Sequence, residues 1–146
     1  MGLYLDTSAL LPFYRSERRS AAIEVLLRNQ REPVLLGELV RLEFASAVAR
    51  WVRTQELREG QAAKLERAFD EDVAAGRYAV RPLRTEHVAL ARRWLLARTT
   101  ALRTLDALHV ACAAAEGATL VTFDVALAEA AEALGVPSLT PAPTPP

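Results

Sequence analysis

Short runs of β-forming residues alternate with longer helical patterns along this chain: Leu3 to Leu5, Val34 to Leu36, Tyr78 to Arg81, Thr119 to Phe123 and a weaker Val136 to Leu139. Such alternation predicts an α/β protein, a parallel sheet with helices on both faces. The helical patterns run from Ser8 to Tyr14, Arg18 to Asn29, Glu38 to Gln55, Glu59 to Ala75, Thr85 to Arg98, Thr104 to Glu116 and Val125 to Leu134. Gly76, Gly117 and Gly135 follow three of them where a left-handed stop residue is needed, and each precedes a candidate strand.

At 146 residues the chain is long enough to bury one core without disulfides or a structural metal. Residues 1–139 are read as a single domain. Residues 140–146 hold four prolines, cannot join a sheet interior, and are read as a flexible proline-rich tail. Eighteen basic residues balance eighteen acidic ones, so no global field announces a nucleic acid or an anionic membrane. Seventeen of the bases are arginine, whose planar fork suits phosphate and carboxylate, although compositional bias would give the same count. The one cysteine, Cys112, lies in the apolar run Val110-Ala111-Cys112-Ala113 and reads as a buried thiol in a reducing compartment. No leader pattern and no apolar segment near the ~20 residues that span a bilayer is present, so a cytoplasmic location without membrane contact is expected.

Three of the five aspartates fall where such folds build active sites. Asp6 ends the first apolar run, Asp124 ends the fourth, and Asp106 opens the helical pattern before it. Ligands of open α/β sheets bind outside the carboxyl ends of the strands, so Asp6 and Asp124 should face one crevice. Each acid alone has a plainer explanation. Asp6 and Asp124 can cap the helices they precede, and Asp106, two residues after the expected cap Thr104, suits the positive end of a helix dipole. Glu43 is harder to dismiss, because it shares a helix face with Leu39, Ala47 and Ser46, where an unpaired charge costs stability. Glu38 is the competing acid, but its place at a helix start explains it.

Convergence of Asp6, Glu43, Asp106 and Asp124 would crowd negative charge and raise each pKa unless a cation neutralised it. An all-oxygen set without clustered His or Cys favours Mg²⁺ or Mn²⁺ over zinc. Mg²⁺ is commonly held by one or two carboxylates together with substrate phosphates, which points to phosphodiester hydrolysis by a metal-activated water. Ser8 and Thr122 would be hydroxyls that orient the carboxylates.

These residues resemble the PIN-domain ribonucleases, in particular the VapC-type toxins of VapBC toxin–antitoxin pairs. The likeness spans Leu3 to about Leu139 and rests on Leu3-Tyr4-Leu5-Asp6-Thr7-Ser8-Ala9-Leu10, on Glu43, on Thr104-Leu105-Asp106-Ala107-Leu108-His109-Val110-Ala111, and on Leu120-Val121-Thr122-Phe123-Asp124. The resemblance implies a PIN-like three-layer α/β/α fold with a five-stranded parallel sheet, a Mg²⁺- or Mn²⁺-dependent endoribonuclease, a homodimer and a cognate antitoxin. Position by position it makes Asp6, Glu43, Asp106 and Asp124 the catalytic and metal-binding acids. Ser8 and Thr122 match the family's nearby hydroxyl residues.

Other residues carry weaker readings. His109, three residues after Asp106, points to nearly the same helix face and could be a general base or metal ligand, although a side chain packed at the pocket edge is the commoner case. His87 reads as exposed. Arg15, Arg18 and Arg19 could line an RNA channel, positioning phosphates without reading sequence, or could be a solvated face beside Glu17. Tyr4 and Phe123 are expected in the sheet core, Phe13 and Tyr14 nearer the surface. Trp51, Val52, Leu57, Leu65 and Phe69 could form a partner groove on a helical hairpin, or simply core. Among competing functions, an aspartyl-phosphate phosphatase would need an acid where Ser8 stands. A phospho-receiver would need a lysine after a late strand, whereas the only lysine, Lys64, lies in a helical pattern. A catalytically degenerate PIN-like module that binds RNA or protein is the remaining alternative.

Overall fold

A computed structural model describes residues 2–143. β1 (Leu3–Leu5) leads into α1 (Thr7–Tyr14) and α2 (Ser20–Arg28), and β2 (Val34–Gly37) into α3 (Glu38–Arg53) and α4 (Glu59–Ala74). β3 (Tyr78–Arg81) leads into α5 (Thr85–Ala97) and α6 (Thr104–Ala115), and β4 (Thr119–Val121) into α7 (Val125–Ala133) and β5 (Ser138–Leu139). The strands form one parallel sheet in the order β3-β2-β1-β4-β5. The chain therefore builds outward from β1 to β3, then returns to the other side of β1 as β4. That reversal opens a crevice at the carboxyl ends of β1 and β4.

Strand side chains alternate between two cores, as the two-residue period requires. Leu5, Val34, Leu36 and Val121 pack with Leu10, Ile23, Val48 and Phe69 of α1 to α4. Tyr4, Leu35 and Leu120 pack on the opposite face with Val110, Ala113, Leu127 and Ala131 of α6 and α7. Ala91 of α5 meets Ala107 and Ala111 of α6, small residues that let the two helices lie close. The result is the expected three-layer α/β/α arrangement.

Strand ends differ modestly from the pattern-based limits. β4 stops at Val121, although the Thr122 N–H still donates to the Leu139 carbonyl at 3.1 Å. β5 begins at Ser138 because Pro137 has no N–H to offer and contributes only its carbonyl, which accepts from Leu120 at 2.8 Å. Gly76, Gly117 and Gly135 take the left-handed conformation expected of them, with φ of 80°, 60° and 82°. Arg98 does the same after α5 with φ 56°.

Four expectations require correction or narrowing. His87 is buried, not exposed, because its ring turns back so that Nδ1 accepts the Arg84 N–H at 3.0 Å and caps α5. The residue capping α6 is Arg103, and Thr104 is the first helical residue. Trp51 and Phe69 belong to the core, with Val52, Leu57 and Leu65 packed against it, which favours the core reading of these residues. The proline-rich segment is anchored at its start: Pro141 is buried, and Pro141 and Pro143 wall a cavity with Arg18, Arg19 and Phe123. The rest of the tail, residues 144–146, lies outside the described residues. Cys112 is buried as expected, and burial pushes its thiol up to about 11. Among the described residues no helix is long and apolar enough to cross a membrane.

Candidate active site

Asp6 sits at the centre of the crevice, immediately after the central strand, and is 4% exposed. Its N–H donates to the Val121 carbonyl at 3.1 Å, extending the β1–β4 ladder by one bond. As the α1 N-cap, its Oδ1 accepts the Ala9 N–H at 2.9 Å, and the same oxygen accepts from the Ser8 hydroxyl at 2.8 Å. Oδ2 accepts from the Thr122 hydroxyl at 2.5 Å. Ser8 Oγ in turn accepts the Phe123 N–H at 3.0 Å, and Thr122 Oγ1 the Asp124 N–H at 3.0 Å. The two hydroxyls expected to orient carboxylates thus both hold Asp6. A carboxylate offers about four acceptor positions, of which three are filled. Burial pushes the Asp6 pKa up, against the pull of the Thr122 and Ser8 bonds, the nearby His109 and the Ala9 N–H.

Glu43 lies in the second turn of α3, which follows the neighbouring strand β2. Its Oε1 accepts from the Thr7 hydroxyl at 2.8 Å and forms a short contact with His109 Nε2. On the far side of the ring, His109 Nδ1 stands 3.0 Å from the Tyr4 hydroxyl. Burial drives the Tyr4 phenol well above its ordinary range, so the hydroxyl stays protonated. The ring satisfies both neighbours when Nε2–H donates to Glu43 and Nδ1 faces the Tyr4 hydroxyl. Burial raises the Glu43 pKa, but the His109 contact and the Thr7 bond outweigh it and hold the carboxyl below its ordinary value. Tyr4 can reach His109 because Gly37, the α3 N-cap, has no side chain: a Cβ there would stand 2.6 Å from the Tyr4 oxygen.

Asp106 occupies the first turn of α6 and is half-buried. Burial raises its pKa, followed by the charges of Asp124 and Glu43, while His109 and Arg103 pull it back. Asp124 is exposed and caps α7, its Oδ1 accepting the Leu127 N–H at 3.1 Å. The fold therefore brings Asp124 and Glu43 within electrostatic reach of Asp106. Among the described residues, however, no three His, Cys, Asp or Glu side chains are grouped closely enough to hold one ion by themselves. The donor chemistry fits a hydrated hard cation taken by one or two carboxylates at a time.

His109, Tyr4 and Thr7 are the site residues that motif reading understated. His109 showed by its spacing from Asp106, whereas Thr7 was only a member of the first motif and Tyr4 was expected in the sheet core. Arg15 and Arg19 wall a cavity with Ser8, and Arg18 and Arg19 wall another with Phe123. Arg15 Cζ stacks 4.3 Å from the Trp51 ring centroid, with Glu56 Oε1 3.6 Å from its Nη1. Arg19 Cζ stands 5.3 Å from the Phe123 centroid, and Arg18 is exposed. A cavity of about 640 Å³ between α3 and α4 contains none of the four acids.

Among curated proteins none matches the chain. Solved structures do match in fold. VapBC from Salmonella typhimurium bound to DNA superposes with a TM-score of 0.75 at 12% identity, covering 97% of this chain and 99% of that one. FitAcB from Neisseria gonorrhoeae gives 0.68 at 21% identity, covering 95% and 97%. Mycobacterium tuberculosis VapC20, described as a sarcin–ricin loop cleaving toxin, gives 0.67 at 15% identity, covering 88% and 95%. The PIN domain family model matches residues 3–133. With that match over most of the chain, and with acids at the carboxyl ends of β1 and β4, the chain belongs to the PIN domain family.

Proposed function

We propose that the chain is a Mg²⁺- or Mn²⁺-dependent endoribonuclease and the toxin of a VapBC-type pair. The observation that carries this reading is an Asp6 at the carboxyl end of β1 held by two hydroxyls and a backbone N–H, with Asp124 following β4 and with Asp124 and Glu43 close enough to act on Asp106. Asp6, Glu43, Asp106 and Asp124 would hold the ion. Bound there, it would lower the pKa of a water and stabilise charge on the phosphate oxygens. Ser8 and Thr122 keep Asp6 from rotating, His109 and Thr7 do the same for Glu43, and Arg15, Arg18 and Arg19 flank the path of the strand. The fold likeness to VapC20, described as a sarcin–ricin loop cleaving toxin, supports RNA as the substrate. Likeness to VapBC and FitAcB supports a cognate antitoxin. Exposed Val88, Leu96 and Leu105 beside an apolar cavity of about 240 Å³ on α5 and α6 support a homodimer. A cytoplasmic location belongs to the same reading.

Cleavage of a mixed panel of single-stranded RNA and DNA by wild type and Asp6→Asn, with Mg²⁺, Mn²⁺ or EDTA, tests the proposal. Wild-type cleavage of RNA only with metal, lost in Asp6→Asn, is expected. Cleavage that survives Asp6→Asn or EDTA refutes it. A degenerate binding module is the second reading, favoured by the hold of His109 and Thr7 on Glu43. RNA binding without turnover under any metal would establish it.

A further inference from the structure

We infer that the cavity between α1 and α3, walled by Ser8, Arg15, Arg19 and Trp51, is a nucleobase subsite for single-stranded RNA, with the Arg15 guanidinium as its stacking plane. This deepens the nuclease reading and rests on it for the choice of RNA. The cavity holds about 370 Å³, within the usual range of small-molecule sites. Buried Trp51 backs one face of the guanidinium, Glu56 pins an edge, and the Arg15 side chain remains 32% exposed, leaving a fixed planar surface open to the cavity. Bases of unpaired RNA stack on guanidinium planes as they do on aromatic rings.

Charge separates the roles of the three arginines. Arg15 already faces Glu56, so it is a poor phosphate anchor and a good plane. Among the described residues Arg18 and Arg19 have no acidic side chain at ion-pair distance. Glu17, the acid on this wall, turns its Oε1 to the Arg19 N–H at 3.1 Å. Arg18 and Arg19 are thus free for the backbone, and Arg19 also walls the adjoining cavity of about 350 Å³ at Phe123 and Pro141. Position completes the case. Ser8, on the cavity wall, donates to Asp6, so a base seated here places its own phosphate next to the acid cleft.

The test is binding in EDTA, where nothing is cleaved, of a fluorescein-labelled single-stranded hexauridylate and of the same hexamer made abasic, read by anisotropy. Arg15→Ala and Arg15→Lys should each weaken the intact hexamer about tenfold, because stacking needs the plane and not only the charge. The abasic hexamer should bind wild type comparably weakly, and Arg93→Ala on the far helix α5 should bind like wild type. In a Trp94→Phe background the remaining Trp51 fluorescence should change on adding the intact hexamer. Arg15→Lys binding as tightly as wild type, or an abasic hexamer binding as tightly as the intact one, overturns the inference. So does a Trp51 response to an acidic peptide with none to RNA, which would assign the cavity to a protein partner. Should Arg15→Ala fail to fold, Arg15→Lys and the abasic hexamer still decide. The nuclease reading fails separately: Arg15-dependent binding without metal-dependent cleavage removes it and keeps the subsite, whereas cleavage with Arg15-independent binding does the reverse.

Discussion

Gly37→Ala is the most exacting test of how the fold sets the site. Gly37 has φ −81° and ψ 154°, a conformation any residue adopts, so alanine meets no backbone objection. At an N-cap the change from Gly to Ala costs only a few tenths of a kcal/mol to roughly 1 kcal/mol. The larger cost is steric. The new Cβ would lie 2.6 Å from the Tyr4 oxygen but 3.6 Å from the Tyr4 Cζ, which is ordinary contact. Tyr4 is fully buried and tied to His109, so the hydroxyl cannot simply swing away. Overpacking of this kind costs about 1–3 kcal/mol. Tyr4→Phe removes the clashing atom and by itself costs about 1–3 kcal/mol, because it leaves His109 Nδ1 without its partner. In the Tyr4→Phe background, Gly37→Ala should then cost only its small capping term. The cycle therefore has a defined sign: the double variant is more stable than the sum of the two losses implies, by about 1–3 kcal/mol. Urea unfolding of the four proteins measures it, and thermal unfolding should show Gly37→Ala lowered by roughly 2–4 °C per kcal/mol. Equal costs of Gly37→Ala in both backgrounds would refute the steric account.

Further outcomes follow from the same geometry. In EDTA, Asp6 and Glu43 should give pH dependences of opposite sign. The Asp6 carboxyl is raised, so its contribution is present below its ordinary value of about 3.8 and is lost as pH rises through the folded value; the stability of wild type relative to Asp6→Asn should fall across that window. The Glu43 carboxyl is lowered, so its contribution is present above about 4.5 and lost as pH falls; wild type relative to Glu43→Gln should gain as pH rises, and parallel curves would contradict the assignment. Asp106→Asn should leave the metal-free protein as stable as wild type or up to about 1 kcal/mol more so, by removing like-charge crowding. Mn²⁺ should raise the melting temperature of wild type and not of Asp106→Asn, and equal shifts in both would remove Asp106 from the ion's ligands. On the homodimer reading, Leu96→Glu should convert the dimer to monomer in sedimentation, and an unchanged mass would place any interface elsewhere.

Much of the site was legible because it is written in local relations. Asp6, Ser8, Thr122 and Asp124 sit at i and i+2 around two strand ends, and parallel strands placed side by side bring such ends together. Glu43 stood out as a charge on an apolar helix face. What motif reading missed depends on contacts between distant parts of the chain. Tyr4 and His109 are 105 residues apart, and nothing near Tyr4 marks a strand residue whose hydroxyl has a partner. Arg15 finds its plane on Trp51, from a different helix, and composition alone left it a member of a charge run. His87 was misplaced because a lone first-turn histidine carries no mark of whether its ring faces water or the backbone it caps. Proline content could not show that Pro141 would be buried and wall a cavity with Phe123.

Tyr4 and His109 also separate what holds the fold from what orients the site. Each buries polar atoms that would cost stability if unmatched, and the chain they form ends on a partly exposed carboxylate. Removing both polar partners together, as in Tyr4→Phe with His109→Leu, leaves no orphaned group between them and keeps the volume filled. Stability should therefore change by only about 1 kcal/mol, against a larger loss for either substitution alone. On the nuclease reading Glu43 would then be held by Thr7 only, free to rotate toward solvent. Loss of such supporting contacts around metal ligands typically costs about 10–100-fold in affinity or activity. The double variant should melt close to wild type, need more Mn²⁺ for half-maximal cleavage, and cleave more slowly. Wild-type cleavage and metal dependence in a well-folded double variant would mean that His109 packs against Glu43 without positioning it, and that the Tyr4–His109 pair serves the core alone.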